Sequence, residues 1–221
     1  MNQAFYREML LTRPELLKAI IAFNRPQQPL PALGLDVSLS RALQNHPEVA
    51  DLLRAGEQGS FDGNCYWDFS SASTRLALLP GTVLRQLALM TAAAAYAETI
   101  ASTLRRDEVR ALRDVLGEPI HRWVLTRGRF LIGTLAQSLQ ATVSEDNPAR
   151  AVAKLARGVL EALRSDWPEE LRARTEMLFS QLELPAADGA ILSEDLRRRV
   201  WYFFKKLIER ELDQQWKHYF D

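Results

Sequence analysis

Apolar residues recur every three or four positions along most of the chain, and prolines and glycines cut that rhythm into segments. The period belongs to helices that bury one face. Thr12, Arg13, Pro14 and Glu15 form a capping-box pattern with proline in the first turn, which predicts a helix to about Phe23. Residues 25–34 hold Pro26, Pro29 and Pro31, so no helix crosses them. Two short helices are expected next, with His46 and Pro47 as an N-cap and first helical residue, the second ending near Gly56.

A loop then runs to about Ser73, followed by a short turn and a long helix from Gly81 to about Leu104, started by Pro80. That helix is apolar on most sides, through Leu84, Leu87, Leu89, Met90, Ala92 to Ala95 and Ile100. A helix of this kind belongs in the middle of a bundle. A further helix spans about Asp107 to Leu116, with Gly117 as its cap and Pro119 opening the next. Asn147-Pro148 and Asp166-Trp167-Pro168 open helices to about Arg164 and Leu182, and Ser193 caps a last helix running nearly to Asp221. No alternating β-branched run and no internal repeat of 20 to 50 residues is present.

The expected fold is all-α. It is a single irregular domain of roughly eight or nine helices around a buried Ala/Leu-rich central helix. Residues 1–34 form a helical arm and Pro-rich connector, and residues 35–221 form the helical body on which the arm packs.

Composition removes several functional classes. Lys plus Arg and Asp plus Glu number 28 each, so no basic excess points to nucleic acid or an acidic membrane. One cysteine, Cys65, makes neither an internal disulfide nor a thiolate metal site, which suits a reducing compartment. The first residues lack a signal peptide's basic start and cleavage site, and no stretch of about 18 residues lacks a charge or proline. The expectation is a cytosolic protein with no direct membrane insertion.

Candidate chemistry is sparse. Glu118 and His121 match one Glu-x-x-His unit of a di-iron bundle, but neither His46 nor His218 completes a second. Residues 128–134 lack the lysine and the preceding strand of a phosphate loop. There is no nucleophile elbow around a serine, and Cys65 has no neighbouring histidine in sequence. No catalytic residue, cofactor or metal is expected.

Surfaces carry more information. Residues 61–69, "FDGNCYWDF", place Phe61, Tyr66, Trp67 and Phe69 where loops usually hold polar side chains. Trp67 and Phe69 are expected to plug the core against the Gly81 helix, and Phe61 and Tyr66 to meet a partner. In the last helix Val200, Trp201, Phe203, Phe204, Leu207 and Ile208 share one arc, yet Glu211 falls inside it a turn later. A carboxylate at the centre of a core face is costly. The first half is therefore expected to pack inward. Trp216, Tyr219 and Phe220 are candidate partner contacts, with folding back onto the domain as the alternative. The basic runs 197–199 and 205–206 are read as parts of a solvated mixed face shared with acids.

Residues 75–125 resemble the SctK (YscK-like) family of type III secretion sorting-platform accessory proteins. The likeness lies in Leu-Leu-Pro before a long apolar helix, a basic pair, and a Val-x-x-Leu-x-x-x-Leu-Gly helix; residues 205–220, "KKLIERELDQQWKHYF", add a basic amphipathic close. The resemblance implies a cytosolic, non-catalytic helical adaptor at the cytoplasmic face of the bacterial inner membrane. Its implied partners are the pod protein of the sorting platform and the cytoplasmic domain of the inner-membrane ring protein. A cytosolic helical enzyme of unrecognised type and a secretion or assembly chaperone are the alternatives. The first needs convergent polar groups in a pocket, and the second is commonly a small acidic mixed α/β dimer.

Overall fold

The computed structural model describes residues 12–24, 66–187 and 192–220, together with Phe5, Glu8 and Met9. The short helices expected between residues 35 and 56, the His46–Pro47 start, Phe61 and Cys65 lie outside the described residues. Those described form α-helices, one 3-10 turn and one π-helical turn, with no strand among them, so the fold is all-α.

Helix α1 is Pro14–Asn24; a 3-10 turn, Thr74–Leu78, leads into α2, Gly81–Ala95, and α3, Ala97–Ser102. Helix α4, Arg106–Trp123, passes through the π turn Val124–Gly128 into α5, Arg129–Leu131, and α6, Leu135–Gln140. Helices α7, Pro148–Ser165, α8, Glu169–Ser180, α9, Glu194–Glu211, and α10, Gln214–Lys217, follow.

The apolar-all-round helix is α2, and it sits at the centre. Leu84 and every residue from Leu87 to Ala95 are buried. It packs most extensively against α7, with α4, α6 and α9 around it. Both helices are rich in buried alanine, Ala92 to Ala95 on one and Ala149, Ala151, Ala153 and Ala156 on the other. Short side chains let two helix axes approach towards the lower end of the usual range. Thr91 survives in this core because its hydroxyl donates to the Leu87 carbonyl at 2.9 Å.

The helix expected to reach Leu104 breaks at Tyr96 (φ −95°, ψ 16°). The Gln140 amide, from α6, donates to the Ala95 carbonyl at 2.5 Å. That carbonyl has thus found a partner outside its own helix, and α3 restarts one residue on. Local caps behave as their chemistry requires. Asn147 accepts from the Arg150 amide at 3.0 Å, and the Ser193 hydroxyl from the Leu196 amide at 3.3 Å. Gly117 interrupts α4 at φ 72°, a conformation that favours glycine, and Pro119 stands two residues beyond.

Helix α9 ends at Glu211 rather than near residue 221. Leu212 is extended (φ −79°, ψ 152°) and buried. Glu211 is the last residue of the helix, on the arc of Val200, Phe204 and Leu207, so the helix stops at the point where the helical projection shows the conflict. Glu211 is half-buried there, and beyond the turn at Leu212 the side chains of Trp216, Tyr219 and Phe220 pack against the core.

Candidate docking cleft

The residues singled out in the sequence separate into buried and half-buried sets. Tyr66 is 9% exposed and Phe69 is fully buried, whereas Trp67 is half-buried. Trp67 and Phe69 pack on the core as expected, and Tyr66, expected to meet a partner, is buried there as well. Tyr66 stacks edge-on against Phe69, centroids 5.1 Å apart, and Phe69 meets Phe23 of α1 at 5.5 Å. Burial, with Asp68 nearby, pushes the Tyr66 phenol above its ordinary pKa. The aromatics are explained by what the loop closes: it joins α1 to the body.

Trp216, Tyr219 and Phe220 are half-buried and packed against the same core, with Trp216 and Tyr219 edge-to-face at 5.7 Å. Folding back is the arrangement observed. Arg75 binds this segment to the loop. Its guanidinium donates to the carbonyls of Phe69 at 2.9 Å, Tyr219 at 3.0 Å and Ser70 at 3.1 Å, with the Phe5 ring 5.5 Å away. Burial, then Arg13, pulls the Arg75 pKa down. Three carbonyls in a fork use what a guanidinium offers and an ammonium lacks.

The Glu118 carboxylate is exposed and pairs with Arg122 at 3.5 Å and Arg113 at 3.6 Å, whereas His121 is buried. Desolvation, then Arg113, lowers the His121 pKa. Among the described residues no three His, Cys, Asp or Glu side chains are grouped to hold a metal.

The exposed aromatics lie elsewhere. Phe130 and Tyr202 are 70% and 63% exposed, one on α5 and one on α9. Between these helices run two hollows that share Leu131. The first, about 370 Å³, has Leu131, Ile132, Leu135 and Phe203 as apolar lining. The second, about 490 Å³, continues past Thr126 and Phe130 to Arg210 and Glu211. Arg198, Arg199 and Lys206 border the first hollow, and Arg127 and Arg210 the second, while Glu211 is the one carboxylate in either lining among the described residues. Arg198 pairs with Glu194 at 3.1 Å. Arg199 makes only long contacts with the Thr134 and Ser138 hydroxyls, at 3.4 and 3.5 Å. Lys206 lies 4.9 Å from the centre of the Tyr202 ring.

The α9 wall follows from spacing. Arg198, Tyr202, Lys206 and Arg210 stand four residues apart and so form one stripe beside the buried arc. The opposite wall depends on the π turn. There the Thr126 hydroxyl donates to the Arg122 carbonyl at 3.0 Å, and the Trp123 ring lies so close to Gly128 that a Cβ there would stand 2.6 Å from Cζ3. A wider turn shifts the angular phase of every later side chain, which places Phe130 and Leu131 at the cleft.

This cleft, the central helix and the folded-back residues all lie inside the segment, residues 39–220, that matches the family model of YOP proteins translocation protein K (YscK). The chain belongs to the YscK family. It is therefore a type III secretion-related protein, in a family of structural and accessory components rather than known enzymes. Within the YscK match fall α2 to α10, whereas α1 precedes it. No curated protein and no solved structure matches the chain. Among the described residues of this YscK-family chain, no helix is long and apolar enough to cross a membrane.

Proposed function

We propose that the chain is a non-catalytic scaffold adaptor of the cytoplasmic sorting platform of a type III secretion system. In this reading it works at the cytoplasmic face of the inner membrane, and links the cytoplasmic domain of the inner-membrane ring protein to the pod protein. The observation that carries it is the cleft between α5 and α9, flanked by exposed Phe130 and Tyr202, on a chain of the YscK family. Large aromatics at the rim of an apolar hollow are the side chains that anchor protein interfaces. The surrounding body supports the role. Its central helix is buried on all sides from Leu87 to Ala95, and long-range bonds such as Arg75 to Tyr219 hold distant segments together, as a scaffold requires.

Two binding titrations test the proposal. The purified chain is titrated with the pod protein and, separately, with the ring protein's cytoplasmic domain from the same cell. Saturable, stoichiometric binding to both is expected. A folded helical sample that binds neither at high micromolar concentration would rule the adaptor out.

A further inference from the structure

We infer that the cleft between α5 and α9 receives an acidic amphipathic helix of another protein. The helix sets its apolar side chains against Leu131, Ile132, Leu135 and Phe203, and its carboxylates against the cationic stripe of α9. It would be supplied by one of the platform proteins, and to that extent the cleft's role rests on the adaptor reading.

Charge points to the sign of the occupant. The whole chain is neutral, yet Arg127, Arg198, Arg199, Lys206 and Arg210 line the two hollows against Glu211 alone. The other acids of α9, namely Glu194, Asp195 and Glu209, are outside the linings, and Glu194 is the one that pairs with a lining cation, Arg198. Among the described residues, Arg198 is the one of the five cations with an ion-pair partner. Charges left unpaired around a concave apolar surface suit an anionic partner that excludes water there.

Geometry points to a helix. From Arg198 to Arg210 the stripe rises about 18 Å at 1.5 Å per residue, or roughly three helical turns. Carboxylates four residues apart on a facing helix would repeat at the same interval. The apolar lining also selects a protein over the other anions. A nucleic-acid backbone offers nothing to fill a hollow lined by Leu131, Ile132, Leu135 and Phe203, and a flat lipid surface does not reach into one. Phe130 and Tyr202, exposed on opposite walls, would close over the docked helix.

The test uses the intact chain and two synthetic helical peptides. One carries glutamates at every fourth position beside a leucine and phenylalanine face; the other has lysines in place of the glutamates. Fluorescence anisotropy is expected to detect binding of the acidic peptide only, weakening as salt rises from about 0.05 to about 0.5 M. Lys206→Glu combined with Arg210→Glu, and separately Tyr202→Ala, should each weaken it by about tenfold or more, with the helical circular dichroism and melting temperature unchanged. Equal binding of the two peptides, no binding of either, or indifference to both variants overturns the inference. So does a duplex oligonucleotide or a phosphatidylserine vesicle that binds the chain and is released by the charge reversals while the acidic peptide is not. The same variants are titrated with the pod protein and the ring domain. If both bind wild type and variants alike, the cleft fails and the adaptor stands. If neither binds wild type while the acidic peptide does, the adaptor fails and the cleft stands.

Discussion

The Arg75 guanidinium donates to the Tyr219 carbonyl at 3.0 Å across 144 residues of sequence. The same side chain holds the Phe69 and Ser70 carbonyls, so one buried cation ties the loop before α2 to the segment after α10. Arg75→Ala should lower stability by about 3 kcal/mol in chemical denaturation, because three carbonyls lose a charged donor. Arg75→Lys should recover little of it, since one ammonium cannot span the fork. Hydrogen exchange should show amides of residues 214–220 opening faster in both variants.

Within the aromatic loop, Phe69 is the side chain with no exposure and ring partners on two sides. Phe69→Ala should cost about 3–5 kcal/mol. Tyr66→Ala should also lower the melting temperature, and Trp67→Ala should lower it less than Phe69→Ala does. A melt of Tyr66→Ala that overlays the wild type would contradict this account of the loop.

Gly128 is required by the Trp123 ring lying across it. Gly128→Ala should destabilise by about 1–3 kcal/mol through overpacking at the π turn. Because that turn sets the phase of the α5 wall, the variant should also weaken whatever occupies the cleft, measured below its melting temperature.

His121 is buried with its pKa below the ordinary 6.5. The unfolded chain therefore binds a proton at a pH where the folded chain does not. Stability is full above about 6.5 and falls as pH drops below that value towards the folded pKa. Between pH 7.5 and 5, the melting temperature of His121→Gln should fall less than that of the wild type. Parallel losses would remove His121 as a source of acid sensitivity.

Much of the fold was legible because its signals are local. Asn147, Ser193 and Gly117 act within a few residues of themselves, and an all-apolar stretch such as residues 84–95 announces a central helix without knowledge of its neighbours. The breaks were less accessible. The stop at Tyr96 goes with a bond from Gln140, 45 residues away, to the Ala95 carbonyl, and the turn at Leu212 was visible only as a conflict over Glu211. The burial of Tyr66 was not legible, because it packs on Phe69, which in turn meets Phe23 of α1. The cleft was half legible. The stripe of Arg198, Tyr202, Lys206 and Arg210 is plain at a spacing of four, but the acids interleaved on α9 made it resemble a solvated mixed face. Its other wall is phased by the π turn, for which Gly128 is a faint cue.

The proposed adaptor bridges two platform components, the pod protein and the ring protein's cytoplasmic domain. The most direct measurement mixes the purified chain with the pod protein and the ring protein's cytoplasmic domain, and weighs the products by size-exclusion chromatography with light scattering. The account predicts a ternary species whose mass contains all three proteins, and which does not form when the chain is omitted. Binary complexes that exclude one another, or a pod–ring complex that forms equally well without the chain, would contradict it.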